Sequence, residues 1–300
     1  MRTKQKLLLL IDRLATLILW VLGLLAIYIV ANITSLASFK IPTDSMTPAI
    51  LPGDNVLVNK WVMGARIFNP FKAATHEKVV VRRLPALGRV ERNDVLVFNF
   101  PYPLQWDSIG LDMSKYYVKR CLGLPGDTLE IRHGYYRIND DSLKAVNPLQ
   151  IESLRYQLQG ITSDSVARTR GICLRSYPRT DSICWTILDF GPLFIPNKGS
   201  RIMMNDYHYL LYRNLIEWEQ RKKLLKDGSV ISIADSVIST YTFEQNYYFV
   251  AGDKVIDSQD SRYWGLLPEQ MIVGKATCIW KSVNPYTDEV RWNRLFRKIE

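Results

Sequence analysis

The sequence predicts a mainly β protein with one N-terminal transmembrane helix and a mixed insertion subdomain that contains a helix. Three observations support this fold class. An unbroken apolar run lies near the N-terminus, short β-type runs dominate from residue 40 onward, and one later segment has helical spacing. The chain has 300 residues, of which 47% are hydrophobic and 23% charged, so it is long and apolar enough to build a folded core.

The first predicted element is a transmembrane anchor at residues 14–33, which read LATLILWVLGLLAIYIVANI. A helix of this length rises about 1.5 Å per residue and spans the roughly 30 Å hydrocarbon core of a bilayer. Several basic residues and one acid, Asp12, precede it, so the positive-inside rule predicts that residues 1–13 form a cytoplasmic tail. The rest of the chain is then expected on the extracytoplasmic side of the cytoplasmic (inner) membrane, after a single crossing.

A cleaved signal peptide is the alternative to this anchor. The residues SLAS at 35–38 place small side chains at Ser35 and Ala37, as a cleavage site would. The apolar run is longer than the roughly 7–15 residues of a signal-peptide core, which favours an anchor that is retained. Self-cleavage near Ala37 stays open at this point.

The exported part is predicted to be rich in short strands, because seven runs are enriched in Val, Ile, Tyr and Phe and bounded by Gly, Pro, Asn or Asp. These runs lie at residues 55–64, 78–84, 94–100, 116–124, 127–138, 247–253 and 271–280. The tetrapeptide LPGD occurs at 51–54 and again at 124–127. Pro followed by Gly predicts a tight turn at both places.

A helix is predicted at residues 206–228, where apolar residues recur at near-helical spacing as far as Leu225 and the pattern ends at Gly228. The stretch around it has weaker, mixed periodicity and is interpreted as an inserted cap subdomain. The predicted organisation is a cytoplasmic tail at 1–13, an anchor at 14–33, a β domain formed by 40–132 and 247–285, an inserted cap at 133–246 and a basic C-terminal tail at 286–300.

The net charge and the aromatic content limit the classes of partner that this chain is expected to bind. The formal net charge of +10 is compatible with nucleic acid or with an anionic membrane surface. Sixteen Tyr and eight Trp beside an apolar segment favour the lipid bilayer as a partner, and the absence of a nucleic-acid-binding motif argues against nucleic acid.

The cysteines form no C-x-x-C pair, which argues against a zinc or thioredoxin-type site. Cys173 and Cys184 could form a disulfide in an oxidising compartment, and spacing alone leaves this open.

Several common catalytic chemistries lack support in the sequence. The three histidines, His76, His133 and His208, are isolated and form no H-E-x-x-H motif. G-x-S-x-G and S-x-x-K motifs are absent as well. A serine enzyme with so few histidines would more naturally use lysine as its base, provided that burial lowers the lysine pKa. No metal or other cofactor is expected.

Four stretches, taken in order, are similar to the motifs of the bacterial type I signal peptidases (leader peptidases), a family of Ser–Lys dyad proteases. DSMTPAILPGD at 44–54 resembles the nucleophile box S-M-x-P-T-L-x-x-G-D, and RNDVLVFNFP at 92–101 resembles the following strand. YYVKRCLGLPGD at 116–127 resembles the lysine box K-R-x-x-G-x-P-G-D. GDKVIDSQDSRYWGLLP at 252–268 resembles the last box, G-D-N-x-x-x-S-x-D-S-R-x-x-G. Four boxes in family order behind an N-terminal anchor make the resemblance specific.

The resemblance implies a catalytic pair, with Ser45 as the nucleophile and Lys119 as the general base. In a strand, Lys119 shares one face with Tyr117 and Cys121, while Arg120 points the opposite way. A free lysine has a pKa of about 10.4, whereas a useful base near neutral pH needs about 7–8. That shift is worth about 4 kcal/mol, which desolvation of a buried amine can supply.

The same resemblance implies an oxyanion hole made by the backbone N–H of Ser45 and the hydroxyl of Thr43. The family has glycine immediately before the nucleophile, and this chain has Asp44 there. Thr43 keeps a hydroxyl, although a β-branched side chain has fewer rotamers. In the last box, Ser258 matches the serine that orients the lysine.

Three further positions of the last box are expected to support the site. Asp260 and Arg262 match a pair that the family uses for this purpose. Lys254 stands where the family has Asn, and a second cation close to the catalytic lysine would lower its pKa further.

The function implied is that of signal peptidase I, a membrane-anchored serine endopeptidase that removes N-terminal signal peptides from exported preproteins with small residues at positions −1 and −3. The family fold, curved antiparallel sheets around an extended groove, would bind the peptide as an added strand. Preproteins are the expected partners, and the protein export machinery is a further candidate.

Two alternatives were weighed against this function. A self-cleaving SOS-repressor-type Ser–Lys protease is disfavoured by the apolar anchor and by the last box. A catalytically inactive, membrane-tethered binding module is disfavoured because Ser45 and Lys119 are both retained.

Overall fold

The computed structural model describes residues 2–69, 81–143 and 146–299. Its helices are α1 (Arg2–Thr34), α2 (Pro148–Leu158), α3 (Asp164–Thr169), α4 (Asp206–Gln220) and α5 (Ser261–Trp264), with 3₁₀ turns at Glu269–Met271 and Trp292–Arg294. Its strands up to the first helices of the insertion are β1 (Leu36–Lys40), β2 (Asp54–Asn59), β3 (Arg66–Ile67), β4 (Arg82–Arg83), β5 (Val95–Asn99), β6 (Tyr116–Gly123), β7 (Thr128–Arg132), β8 (Tyr135–Ile138) and β9 (Asp141–Ser142). The later strands are β10 (Phe190–Phe194), β11 (Arg201–Met203), β12 (Leu224–Asp227), β13 (Val230–Ile233), β14 (Ser236–Val237), β15 (Thr240–Thr242), β16 (Tyr247–Ala251), β17 (Leu267–Pro268), β18 (Ile272–Ser282) and β19 (Arg297–Lys298).

An eight-stranded antiparallel sheet forms the centre of the β structure. Its order is β1-β2-β18-β5-β6-β16-β17, and β19 pairs with β18. In β2 the residues alternate between buried and partly exposed, as expected of a strand with one face on the core. All of β5 is buried, because it lies inside the sheet between β18 and β6. The prediction of a mainly β protein is confirmed, although the run at 78–84 lies partly outside the described residues.

The N-terminal helix α1 contains a segment long and apolar enough to cross a membrane. This segment, Ile11–Ile29, has 19 residues and a mean hydropathy of 1.8, and none of it is buried against the described part of the chain. Side chains such as Leu17 and Trp20 are 60% and 69% exposed. So many exposed apolar side chains are compatible with the predicted anchor at 14–33, and the membrane crossing itself stays a prediction.

Both LPGD segments form the predicted turns. In the turns at 51–54 and 124–127 the Asp N–H donates to the Leu carbonyl at 3.0 Å. Gly53 and Gly126 have φ of 89° and 96°, so glycine supplies the left-handed position that follows proline in a type II turn. Each Asp carboxylate also accepts the N–H of the Leu that begins its turn, at 2.8 and 2.7 Å.

Residues 133–246 contain α2, α3, α4 and several small sheets. One of these, a four-stranded sheet in the order β10-β7-β8-β9, includes a strand that precedes residue 133. Residues of this region and of the central sheet also share one apolar core. The division of the chain into a β domain and an inserted cap stays a prediction.

The helix predicted at 206–228 ends earlier than its apolar spacing indicates. Asn205 caps its N-terminus by accepting the His208 N–H at 2.8 Å. The helix α4 ends at Gln220, because Arg221 adopts a left-handed conformation with φ of 56°. Leu224 then begins a strand, β12, that pairs with β13. The prediction that the helix continues to Gly228 is therefore wrong. The apolar residues after Arg221 belong to the hairpin formed by β12 and β13.

The C-terminal stretch at 286–300, predicted as a basic tail, packs against the loop that bears Ser45. Arg294 is 5% exposed, and its Nη2 donates to Asp54 Oδ2 at 2.6 Å and to the Ala49 carbonyl at 3.0 Å. β19 adds to the central sheet beside β18.

Candidate active site

Ser45 lies in the loop between β1 and β2, where two buried side chains fix a run of turns. Asp44 O accepts the Thr47 N–H at 2.9 Å, and Met46 O accepts the Ile50 N–H at 2.9 Å. Met46 and Ile50 are 1% and 0% exposed and belong to an apolar cluster under the loop. The apolar residues that follow the serine therefore anchor the loop and leave Ser45 half-buried at its surface.

Lys119 projects from β6 toward this serine. Its Nζ donates a hydrogen bond to Ser45 Oγ at 2.5 Å, and the residue is 3% exposed. Its Nζ also lies 6.0 Å from the ring centroid of Tyr117, on the same strand face. Arg120, on the other face, forms a two-point ion pair with Asp253, with both N–O distances at 2.7 Å. The alternation read from the sequence thus matches the side-chain directions observed.

Burial lowers the pKa of Lys119 from its ordinary 10.5 to about 8. The negative charge of Asp260 raises this pKa, and the positive charge of Arg262 lowers it. A substantial fraction of the amine is therefore neutral slightly above neutral pH, and a neutral amine next to a hydroxyl can accept its proton. The geometry and the proton affinity together suit a serine–lysine pair.

The pair Asp260 and Arg262 lies in the interior, not at the surface. Both residues are 0% exposed, and the guanidinium meets the carboxylate at two points, each at 2.8 Å. Asp260 also accepts the Gly252 N–H at 3.1 Å, and Arg262 donates to the Val255 carbonyl at 2.9 Å. Although burial raises the pKa of Asp260, its ion pair with Arg262 brings it below the ordinary value. The pair thus fixes residues 252–255 beside the serine.

Ser258 is buried at 6% exposure and helps to lower the pKa of Asp260, although its Oγ has no partner at full hydrogen-bond geometry among the described residues. No hydrogen bond joins it to Lys119, and its role in orienting the lysine stays a prediction. Ser258 instead packs against Gly252, where an added Cβ would lie 2.2 Å from Ser258 Oγ and 2.6 Å from the Ser45 carbonyl oxygen. No role for Gly252 is predicted from the sequence, although the Gly-Asp pair that opens the last box is the available signal.

A groove of about 500 Å³ leads to Ser45 and Lys119. Thr43, the predicted second oxyanion donor, is exposed and lines the same groove. The walls come from the end of β1 with the loop after it, from the start of β6, and from the last box. The lining residues are Phe39, Lys40, Ile41, Pro42, Thr43, Asp44, Ser45, Met46, Tyr116, Tyr117, Val118, Lys119, Asp257 and Gln259. Two strand segments facing each other across a cleft can hold an extended peptide.

Two of the residues that depart from the family motifs, Asp44 and Lys254, meet each other. Lys254 Nζ forms an ion pair with Asp44 and lies 3.1 Å from Asp257 Oδ2. The hydrogen bond from Lys254 lowers the pKa of Asp44, and the hydrogen bond to Asp44 raises the pKa of Lys254. The cation that lowers the Lys119 pKa is Arg262. The expectation that Lys254 depresses the Lys119 pKa has no support, because two carboxylates hold its charge.

The described residues contain no group of three or more His, Cys, Asp or Glu side chains that could hold a metal ion. The four cysteines are free thiols in this structure. Cys173 Sγ lies 3.5 Å from the Arg175 carbonyl, and Cys184 Sγ lies 3.5 Å from the Asp181 carbonyl, so the two thiols face different partners.

Comparisons with known proteins assign the family. A family model described as "Signal peptidase, peptidase S26" matches residues 14–281. Signal peptidase I of Buchnera aphidicola from Schizaphis graminum is 26% identical over 84% of this chain and 70% of its own length. The Buchnera protein from Baizongia pistaciae is 29% identical over 81% and 68%, and that of Haemophilus influenzae is 24% identical over 87% and 69%.

A crystal structure of a signal peptidase I from Enterococcus faecalis matches 64% of this chain and all of its own length, at 21% identity and a TM-score of 0.28. The family assignment therefore depends on the sequence matches. Because the family model covers most of the chain, the chain belongs to the signal peptidase family, peptidase S26. It is accordingly a serine endopeptidase of the signal peptidase I kind.

Proposed function

We propose that this enzyme removes signal peptides from exported preproteins with a dyad of Ser45 and Lys119, while α1 anchors it in the cytoplasmic membrane. The observation that carries the proposal is the buried amine of Lys119 within 2.5 Å of Ser45 Oγ at the end of a peptide-sized groove. The curated relatives are named signal peptidase I, which supports preproteins as the substrate class.

In the first half-reaction, Ser45 Oγ attacks the carbonyl carbon of the residue before the scissile bond, and its proton passes to neutral Lys119 Nζ. The negative charge of the tetrahedral intermediate is stabilised by the Ser45 N–H and the Thr43 hydroxyl. Collapse of the intermediate expels the amine of the mature protein, which takes the proton from Lys119. An ester between Ser45 and the signal peptide remains.

In the second half-reaction, the amine of Lys119 takes a proton from a water molecule that attacks this ester. As the resulting intermediate collapses, Lys119 returns this proton to Ser45 Oγ, and the signal peptide leaves with a free carboxyl group. Asp260 and Arg262 hold the last box in place, and we assign Ser258 to the lining behind the lysine.

The anchor gives this chemistry its location. An α1 helix that crosses the inner membrane once, with residues 1–13 in the cytoplasm, places Ser45 only a short chain length beyond the bilayer. Signal peptides are themselves membrane-embedded, so the groove would receive them at the surface where they emerge. The region at 133–246 would cover part of the catalytic β domain, and the export machinery would deliver the substrate.

The proposal is tested by cleavage of a model preprotein with an Ala-x-Ala site in detergent or vesicles. We expect Ser45→Ala and Lys119→Ala to lose at least about 10³-fold in kcat. Ser165→Ala and Lys281→Ala serve as matched controls, because both residues lie outside the groove. Near-wild-type cleavage by either dyad variant would overturn the assignment.

A further inference from the structure

Asp44 and Lys254 are two of the residues at which the catalytic motifs depart from the family pattern, and they lie 210 positions apart in the chain. Their side chains form one ion pair directly beside the nucleophile. The main chain reinforces the contact, because the Lys254 N–H donates to the Ser45 carbonyl at 3.1 Å. Lys254 thus holds the serine loop through two contacts. Its N–H donates to the carbonyl of Ser45, and its ammonium pairs with the side chain of Asp44.

The ion pair adds a side-chain contact to this main-chain link between the serine loop and the last box. Asp44 opens the turn that carries Ser45, since its carbonyl accepts the Thr47 N–H. A glycine at this position would leave that turn free to move, whereas a tethered aspartate restricts it. The Lys254 ammonium is shared with Asp257, and both of its carboxylate partners line the groove.

We propose that the pair of Asp44 and Lys254 is a positioning device that fixes the Ser45 backbone for attack and thereby aligns the oxyanion hole. This inference depends on the proposed function of Ser45. Neither residue donates or accepts the transferred proton, so their effect should fall on turnover and much less on substrate affinity. Because both side chains serve one contact, losing either should remove the whole benefit.

The test measures kcat and KM for Asp44→Asn, Lys254→Gln and the double variant on the same preprotein. We expect each single variant to lower kcat about tenfold with KM nearly unchanged, and the double variant to be no slower than either single one. Asp44→Gly with Lys254→Asn, which restores the family residues together, should recover most of the activity. Glu152→Gln removes an exposed ion pair with Arg155 elsewhere and is expected to have no effect.

Multiplicative losses in the double variant, a loss that appears in KM, or single variants as fast as the wild type would each overturn the positioning role. Failure of the proposed function is distinguishable, since in that case Ser45→Ala would cleave as fast as the wild type. An inactive Ser45→Ala together with a fully active Asp44→Asn would reject this inference alone.

A second inference comes from a separate cavity of about 460 Å³ that is lined by α4, by α5 and by the loops at 105–107 and 177–180. Arg179 and Arg213 line it, and neither has an acidic ion-pair partner among the described residues. Arg179 stacks 4.3 Å from the Trp106 ring centroid and 5.9 Å from that of Tyr263. It also has a positive φ of 61°, an unfavourable conformation outside glycine that marks a constrained position.

Tyr209, Tyr263 and Trp264 add aromatic surface to the walls of this cavity. Asp107 also lines the cavity, at an exposed position.

We infer that this cavity binds a phosphate group attached to an apolar or aromatic body. Two guanidinium groups without acidic partners in the described part of the chain offer more donors than one carboxylate can use and match the several oxygens of a phosphate. The aromatic walls and the volume leave room for the rest of the ligand.

Calorimetric titration of the full-length enzyme with inorganic phosphate, phenyl phosphate and a short-chain anionic phospholipid tests this site. We expect phenyl phosphate to bind at least about tenfold more tightly than inorganic phosphate, and Arg179→Gln and Arg213→Gln to weaken it about tenfold. Preference for the phospholipid would identify a lipid headgroup as the source of the phosphate. Arg201→Gln, an exposed arginine on β11, is the control, and unchanged binding by Arg213→Gln, or none by the wild type, would overturn the inference.

Discussion

Lys119 Nζ and Ser45 Oγ are hydrogen-bonded at 2.5 Å although 74 positions of the chain separate the two residues. The central sheet makes this contact possible, because β6 places the lysine inside while β1 and β2 hold the ends of the serine loop. At this contact Lys119 is only 3% exposed. The same burial therefore lowers its pKa and fixes its position.

The first prediction concerns the pH dependence of catalysis. Lys119 must be neutral to accept the Ser45 proton, and its pKa is lowered to about 8. The acidic limb of kcat/KM should therefore rise with pH and level off above about 8, well below the 10.5 of an ordinary lysine. Initial rates from pH 5 to 10 on a soluble peptide measure this limb. An active enzyme without an acidic limb down to about pH 5 would contradict Lys119 as the base.

The second prediction concerns stability. Because the folded-state pKa of Lys119 lies below its unfolded value, the unfolded chain binds more protons between about 8 and 10.5, and stability rises with pH through that window. Below the window, burying the charged amine costs about 3 kcal/mol. Lys119→Met should therefore be inactive yet more stable at pH 7, with the difference shrinking toward pH 10.5. Chemical denaturation at several pH values measures this, and Lys281→Met is the exposed control.

The third prediction concerns Gly252. A Cβ at this position would overlap both Ser258 and the Ser45 carbonyl oxygen, so the loops must move apart. We expect Gly252→Ala to destabilise the fold by about 1–3 kcal/mol and to reduce cleavage strongly. Gly88→Ala is the matched control, because the nearest atom to its added Cβ lies at 3.5 Å. A fully active Gly252→Ala would show that the close approach of the two loops is dispensable.

The fourth prediction concerns Arg262. Its loss leaves the carboxylate of Asp260 buried and unpaired, and Arg262→Met should therefore lower the free energy of unfolding by about 3–5 kcal/mol. Arg168→Met breaks an exposed ion pair with Asp164 and should cost about 0–1 kcal/mol. Urea unfolding of both variants at pH 7 makes the comparison. Equal, small effects would mean that the buried pair is not needed for the fold.

The fifth prediction concerns Thr43. A hydroxyl that contacts the developing oxyanion acts in the transition state, so Thr43→Val should lower kcat about a hundredfold with little change in KM. Thr43→Ser retains the hydroxyl and should keep most of the activity. Steady-state kinetics on one preprotein distinguish the two variants, and a Val variant with the wild-type kcat would remove Thr43 from the mechanism. Thr287→Val, in an exposed loop, controls for the substitution itself.

Local sequence patterns predicted β2, β5 to β8, β16 and β18, because β-type runs and the LPGD turns carry their conformational preference within a few residues. They did not predict β1 or β10 to β15. They failed at α4, where apolar spacing continues past Arg221 but the chain reverses into a hairpin. The choice between those two outcomes depends on tertiary contacts such as the Leu224 N–H donating to Glu217 Oε1 at 3.1 Å.

The motif resemblance brought Ser45 and Lys119 together before any geometry was known. It could not foresee that Asp44 and Lys254 would meet, because no local pattern connects residues so far apart in the chain. It also could not show that Gly252 allows the close packing of Ser258. That requirement concerns space between two loops, and sequence spacing contains no such information.

The C-terminal stretch supports the serine loop from behind through Arg294. This arginine bonds to Asp54 and also to the Ala49 carbonyl, a few residues after the nucleophile. Purification handles and reporter fusions attached at this end would disturb the contacts of Arg294 with the serine loop. A handle at the opposite end, ahead of α1, would leave these contacts intact.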